Sequence, residues 1–257
     1  MALTSPWMYQ ALHQVERWAA YAQGKGYGRR TVRAEVAAAA RFLSADPQLA
    51  VDMGAHIGTY TRALKARFPR IECHLFEPCA TNLQKLRQRY GSDERVTICA
   101  AAVSRVPGEA TLYSDEMGSG YGSLIRRRLD HWDTWFDCEQ AVRTIRFEDY
   151  WRGRLQERVM DLVKMDIEGL ELEALHGLGD ALAATRVLQF EFGATNIDSR
   201  TYFQDFFYFF RDRGFELFRI TPLGVQHIPR YREHDEFFWT INYLAVNARL
   251  AAKSAPR

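Results

Sequence analysis

From Leu49 onward the chain alternates two textures. Short apolar or β-branched runs are separated by stretches whose apolar residues recur every three or four positions. Leu49–Met53, Ile71–Phe76 and Val96–Ala100 read as strands. Between them, Thr59–Phe68 reads as a helix with Tyr60, Ala63, Leu64 and Phe68 on one face, and Thr81–Tyr90 as a helix carrying Leu83 and Leu86. Strands alternating with helices in this way predict an α/β domain with a parallel sheet. The same order returns later. Asp161–Met165 reads as a buried strand, Leu170–Leu178 as a helix with Leu170, Ala174, Leu175 and Leu178 inward, and Val187–Phe192 as a further strand. Phe215–Ile220 and Ile241–Val246 are expected to close the sheet as an antiparallel pair.

Three segments fall outside that rhythm. Before Leu49, Trp7, Leu12, Val15, Trp18 and Ala19 recur at helical spacing from Pro6 to about Gln23. After Gly24–Gly28, Thr31 is expected to cap a second helix running to Ala45, which Asp46-Pro47 ends. Between Ala101 and Arg158 the periodicity is lost. Glu109–Tyr113 reads as a strand, Met117–Ser123 as a glycine-rich loop, and Leu129–Phe136 and Phe147–Trp151 as short helices or turns. A stretch of this length without regular pattern is often functional. Tyr202–Arg213 is a helix so aromatic that most of it must be buried, and core packing accounts for its rings better than a base-stacking surface does. The chain thus divides into residues 1–46, a main domain over 47–247, and a flexible tail over 248–257.

Composition narrows the class. A net charge of +2 over 257 residues gives no broad basic face, so no nucleic acid is expected as partner. Arg126-Arg127-Arg128 is the densest basic run and is expected to be solvated. Cys73, Cys79, Cys99 and Cys138 form no CxxC pair and suit neither a zinc site nor a disulfide framework. No run is apolar enough for a membrane span, and the N-terminus lacks the basic start and apolar core of a signal peptide. A cytoplasmic protein with reduced thiols is expected.

The segment Ala50–Thr61 is a strand, a glycine turn and a helix start. Gly54 and Gly58 bracket the turn, and the following helix offers unpaired N–H groups. Ligands of open α/β sheets bind at this end of the strands. The G-x-G-x-x-G dinucleotide fingerprint is absent, which disfavours a nicotinamide-dependent oxidoreductase, and no Gly-Lys-Ser/Thr follows for a P-loop. S-adenosylmethionine carries no pyrophosphate and fits better. Asp52 is placed to hold its amino group, and backbone N–H groups near Gly54 and His56 its carboxylate. Glu77, at the end of the second strand, is placed to accept both ribose hydroxyls.

Two further strand ends carry acids. Asp161–Glu171 runs from an apolar strand into Asp166, Glu168 and Gly169. Glu191 ends the next strand between Phe190 and Phe192, with Lys164 as a candidate partner. An acid in so apolar a run must be paired or functional. Glu168 has a second reading as a helix-start carboxylate complementing the dipole.

At these residues the chain resembles the FkbM family of S-adenosylmethionine-dependent methyltransferases. VDMGAHIGTYT at 51–61, FEP at 76–78 and LVKMDIEGLELEALHG at 162–177 carry the resemblance, with QFEF at 189–192 as a fourth match. The resemblance spans about 49–220. It implies a Rossmann-like, seven-stranded class I methyltransferase sheet, here with an N-terminal helical cap over the site or binding the acceptor. It implies O-methylation of a hydroxyl on a sugar, glycolipid or polyketide-type natural product. Asp52, Gly54, Ala55, His56, Gly58, Thr59, Tyr60, Glu77, Pro78, Ala101, Ala102 and Asp166 become candidate cofactor-binding residues. Asp166, Glu168, Glu191 and His56 become candidate catalytic ones, His56 standing where the family usually has Asn.

Transfer to a hydroxyl needs an in-line arrangement and a base. Asp166 and Glu191 can act without metal, or can bind a divalent ion with Glu168 or Asn196 as third ligand; the spacing does not enforce coordination, and the metal-free route is expected. N- or C-methylation on the same scaffold, and a non-catalytic cofactor-binding module, remain as rival readings. Met117–Ser123 and Gly24–Arg30 are expected to close over bound ligands.

Overall fold

The computed structural model describes residues 5–28 and 31–250. The tail beyond 250, Arg29 and Arg30, and the first four residues of the expected cap lie outside the described residues. Five parallel strands form the centre of the main sheet: β1 (Leu49–Met53), β2 (Glu72–Phe76), β3 (Val96–Cys99), β7 (Met160–Met165) and β8 (Thr185–Phe192). Three antiparallel strands extend it: β9 (Phe215–Thr221), β10 (Gly224–Ile228) and β11 (Ile241–Asn247). The order is β10-β9-β11-β8-β7-β1-β2-β3. The sheet therefore has eight strands, one more than the expected seven. The extra strand, β10, leaves β9 by a two-residue turn at Pro222-Leu223 and lies at the edge. Its Gln226 and His227 face solvent, so it carries no apolar run to announce it.

A second sheet, order β4-β6-β5, is built from β4 (Ala102–Ser104), β5 (Gly108–Ser114) and β6 (Cys138–Arg146). Here β5 was expected and β6 was not.

The buried strands alternate between two cores. Val51 and Met53 face one side with Phe76, Val163 and Phe190; Ala50 faces the other with Leu75, Leu162 and Leu244. The first side is filled by α8 (Phe203–Arg211), whose Phe206 and Phe210 stack on Phe190 at 5.1 and 5.2 Å. The aromatic helix is core, as its sequence implied. The second side is covered by α2 (Val32–Ala40) and α3 (Thr59–Arg67), and α4 (Ala80–Tyr90) adds Leu86 and Tyr90. The shorter helices α5 (Phe147–Gly153), α6 (Glu171–Gly177) and α7 (Thr195–Ser199) lie in the connections that follow β6, β7 and β8.

The N-terminal segment departs from expectation. Helix α2 stops at Ala40 rather than Ala45, and the Thr31 hydroxyl donates to Glu35 Oε1 at 2.8 Å instead of capping a backbone N–H. Helix α1 (Pro6–Ala22) does not bury its apolar side: Trp7, Leu12, Val15 and Trp18 are all more than 60% exposed.

Candidate active site

Three strand ends meet around one cavity. Strand β1 delivers Gly54 and His56, β2 delivers Glu77, β7 delivers Asp166 and Glu168, and Ala102 and Leu112 of the second sheet, with Leu124 of the following loop, supply an apolar wall. The cavity encloses about 690 Å³ of non-atom space, its open mouth included. Met117–Ser123 forms its rim: Gly118, Ser119, Gly120 and Gly122 all line it. His56 Nε2 lies 3.1 Å from the Gly118 carbonyl oxygen, which ties the loop to the first turn.

The turns that present these residues are held tightly. The N–H groups of Gly54 and Ala55 both donate to the Phe76 carbonyl at 3.0 Å. Gly54 has φ +81°, and a Cβ there would overlap the Asp166 carbonyl oxygen. The close approach of the Asp166 backbone and the left-handed φ both require glycine here. Gly58, at φ +77°, abuts the ring of Tyr90 in the same way. Two non-glycine residues also adopt left-handed backbone at the cavity: His56 at φ +50° and Glu168 at φ +58°. Such strain concentrates where a side chain must be aimed.

Glu77 is buried. Its Oε2 accepts the His56 N–H at 2.8 Å, and its Oε1 accepts the Cys79 N–H at 2.9 Å and Asn82 Nδ2 at 3.5 Å. Burial raises its pKa against those bonds. Oε2, with a single donor, keeps a lone pair free to accept from a ligand.

The acids form a group with two cations set into it. Lys164 Nζ donates to Asp166 Oδ2 at 2.8 Å. Burial alone would depress the lysine pKa, but the carboxyls of Asp166, Asp52 and Glu35 together hold it above its ordinary value. Lys164 is thus the partner of Asp166 and makes no hydrogen bond to Glu191, for which the sequence had suggested it. Glu168 is pushed up to about 8 by burial and by the nearby Asp166, against the opposing pull of Arg127. Glu191 is half-buried and rises well above the usual range, first through desolvation and then through the charges of Asp166 and Glu168. Behind them, Glu171 rises to about 7 through burial, although it accepts the N–H groups of Ile167 and Gly169.

Arg127 is the residue beside the candidate site that the sequence misplaced. It was expected on a solvated face, yet its side chain is only 4% exposed. Its Nη1 reaches Glu168 Oε2 at 3.3 Å, and its Nε donates to Asp198 Oδ2 at 3.0 Å. Ser123 Oγ donates to the Glu168 carbonyl at 2.8 Å. Nothing in a run of three arginines distinguishes the middle one. Arg126 and Arg128 behave as expected, pairing at the surface with Asp137 and Asp130.

Of the candidate residues, Gly54, His56, Glu77, Pro78, Ala101, Ala102, Asp166 and Glu168 line the cavity. Five cofactor candidates do not. Ala55 gives its N–H to Phe76, Tyr60 gives its hydroxyl to Gln189 at 2.7 Å, Gly58 gives its carbonyl to Tyr90, and Thr59 opens α3. Asp52 lies behind the turn and accepts the Thr61 hydroxyl at 2.6 Å. Glu191 is also outside the lining and couples to it through Asp166 and Glu168. No residue of α1 or α2 lines the cavity, so neither helix covers it as the expected cap would. Asn82, Leu112, Ser114 and Leu124 line it unannounced, because they come from a helix and a sheet edge without a recognisable motif.

Residues 52–217 match the family of the Methyltransferase FkbM domain, and this stretch contains every strand end that faces the cavity. The chain belongs to the FkbM methyltransferase family. Two curated relatives show the range of that similarity. Methyltransferase sdnD of Sordaria araneosa is 25% identical over 155 residues, 51% of this chain and 60% of that protein. The 2-O-methyltransferase NoeI of Sinorhizobium fredii is 25% identical over 157 residues, 57% of this chain and 63% of that protein. The chain therefore spans less than two thirds of the length of these relatives. Among solved structures, a putative rRNA-methylase from Clostridium thermocellum aligns with TM-score 0.49 at 9% identity, covering 85% of this chain and 96% of the other. A putative methyltransferase from Streptococcus mutans in complex with SAH aligns with TM-score 0.48 at 8% identity, covering 85% and 98%.

The cofactor of an FkbM-family methyltransferase is S-adenosylmethionine, and the residues present fit it. One oxygen of the lining, Asn82 Oδ1, is buried without a hydrogen-bond partner among the described residues. Asn82 lies beside Glu77 in the lining, where hydroxyls would satisfy both. Leu112, Leu124 and Ala102 form an apolar slot suited to a flat base. Among the described residues no group of three or more His, Cys, Asp or Glu side chains is arranged to hold a metal ion.

Proposed function

We propose that this FkbM-family chain is an S-adenosylmethionine-dependent O-methyltransferase acting on a hydroxyl of a sugar, glycolipid or polyketide-type natural product. The reading rests on one observation above the rest: carboxyls with raised proton affinity stand at the strand ends beside the cavity. A hydroxyl acceptor needs a base whose pKa lies near the working pH. Glu168, at about 8, meets that requirement. Asp166 has one oxygen committed to Lys164, which suits it to orienting the acceptor. The description of NoeI as a 2-O-methyltransferase supports oxygen as the acceptor atom.

When bound, S-adenosylmethionine supplies an electrophilic methyl group. Glu77 and Asn82 hold the ribose, and the carboxyl of Asp52 attracts the methionine amino group from behind the turn. Arg127 steadies the ionised carboxylate of Glu168, which takes up the acceptor's proton and becomes neutral. The Met117–Ser123 rim excludes water from the cavity. Each role belongs to a side chain already in place, which favours orientation over rearrangement.

The test has two parts. Calorimetric titration with S-adenosylmethionine and with NAD identifies the ligand. Labelled methyl transfer to a panel of sugar and polyketide hydroxyl acceptors then identifies the product. Binding of S-adenosylmethionine and an ether product are expected. An N- or C-methyl product, or cofactor binding without transfer to any acceptor of the panel, would overturn the O-methyl assignment.

A further inference from the structure

Helix α1 is amphipathic, but it is mounted the wrong way round for a soluble protein. At about 100° per residue, Trp7, Met8, Leu12, Val15 and Trp18 fall within an arc of about 140°. Only at the C-terminal end of the helix does the opposite arc meet the body of the protein. There Ala20 is buried, Arg17 lies over the Trp239 ring at 5.7 Å, and Tyr21 meets Tyr27 edge-on at 5.5 Å. The helix root is fixed. A Cβ on Gly24 would lie 2.5 Å from the Ile220 carbonyl oxygen, Gly26 sits against Trp239, and Lys25 Nζ donates to the His234 carbonyl at 2.9 Å. Beyond this root, residues 6–18 are exposed on all sides among the described residues. Trp7 is 72% and Trp18 75% exposed. An amphipathic helix ordinarily turns its apolar stripe to the core. This one turns it away, and an isolated helix of such length is marginal in water.

We propose that α1 is an interfacial helix that lies on an anionic lipid surface. Three observations select this occupant. The apolar arc is broader than the narrow seam a partner helix covers, and a plane of lipid suits it better. Tryptophan, placed here near both ends of the exposed stretch, is the side chain most at home at a membrane–water boundary. The charge is also segregated. Residues 1–41 hold six Lys or Arg against two acids, a net +4, whereas the whole chain is +2. Basic residues beside an amphipathic helix are drawn to anionic headgroups. No helix of the described residues is long and apolar enough to cross a membrane, so the helix lies on the surface and does not span it.

The placement has a consequence for access. The α1–α2 connection packs on Trp239, Thr240 and Asn242, and Asn242 is the register partner of Glu191. The root of α1 therefore stands at the same end of the sheet as the cavity. A surface gripped by α1 would lie at the cavity end of the sheet, which suits an acceptor carried on a lipid. The lipid contact goes beyond the proposed transfer reaction and is tested apart from it.

The test is flotation of the full chain with vesicles of phosphatidylcholine alone, and of three parts phosphatidylcholine to one part phosphatidylglycerol. The chain is expected to float with the anionic vesicles at least about tenfold more strongly than with the neutral ones, and to be released by added salt. The double variant L12E/V15E should lose about tenfold or more of that binding. Its S-adenosylmethionine affinity, which α1 does not touch, should stay unchanged and certify the fold. Failure to float with either vesicle overturns the proposal, as does equal flotation of the variant. A solution dimer that L12E/V15E dissociates also overturns it, by assigning the arc to a second copy of the chain.

Discussion

Replacing Arg127 with Met removes the cation that faces the proposed base. The guanidinium is 3.3 Å from Glu168 Oε2 and nearly buried. At an effective dielectric of about 20, opposite unit charges at that distance attract by about 5 kcal/mol. Partial solvent access at Glu168, whose side chain is 18% exposed, and the neighbouring Lys164 reduce what is felt, and a cation so placed usually moves a carboxyl pKa by about 1–3. The sign is fixed by chemistry. Arg127 favours the ionised carboxyl, so its loss raises a pKa that already stands at about 8. Below that value the base is protonated and idle. The pH–rate profile of kcat should therefore rise through about pH 8 in the parent protein and about 1–3 pH units higher in R127M. In a buffer near neutrality turnover should fall about tenfold for each pH unit by which the midpoint rises. R127K should restore part of the loss, because it keeps the charge without the fork that also holds Asp198. Thermal unfolding measured beside the kinetics separates this effect from loss of the fold. An R127M profile that keeps the parent's midpoint, or moves to acid pH, would refute Glu168 as the base.

Other expectations follow from the same geometry. Glu77→Ala should weaken S-adenosylmethionine by about 1.5–3 kcal/mol for each lost charged hydrogen bond, read by calorimetry; unchanged affinity in a folded variant would remove Glu77 from the ribose. Turnover should be insensitive to EDTA, and activity abolished by EDTA and restored by Mg²⁺ would make Asp166 and Glu191 metal ligands. Proteolysis at the Gly118–Gly122 rim should slow when cofactor and acceptor are both present, and equal cutting rates would count against closure of that loop.

What the sequence disclosed and what it hid follow the same physical line. Strands β1 and β7 are buried along their whole length, so their apolar runs are continuous and unmistakable. Strand β6 alternates exposed and half-buried positions, and its few apolar residues do not make a pattern. The acids at the ends of β2 and β7 were legible because a charge ending an apolar run demands a reason. The reasons themselves were only partly legible. Gly54 is glycine because Asp166 crowds it, and Tyr60 points into the sheet toward Gln189; both facts depend on contacts more than a hundred residues apart. Arg127 escaped for the same reason. Its partners, Glu168 and Asp198, reach it from the turn after β7 and from α7.

The N-terminal segment lies before the matched stretch, yet it is not separable from the site. Glu35 of α2 is buried, and burial raises its pKa. Its Oε2 accepts a hydrogen from Gln189 Nε2 at 2.7 Å, while Gln189 Oε1 accepts the Tyr60 hydroxyl at 2.7 Å. The Tyr60 ring lies 5.2 Å from Lys164 Nζ, and Lys164 holds Asp166. A chain of hydrogen bonds, one cation–π contact and an ion pair therefore joins α2 to Asp166 in the cavity lining. With an apolar residue in place of Glu35, buried Gln189 would lose one partner, at a cost of about 1–3 kcal/mol. Lys164 would also lose one of the three carboxyls that sustain its charge. The two N-terminal helices thus divide their work. Helix α2 belongs to the foundation of the active site, whereas α1, anchored only at its root, is free to meet a surface outside the protein.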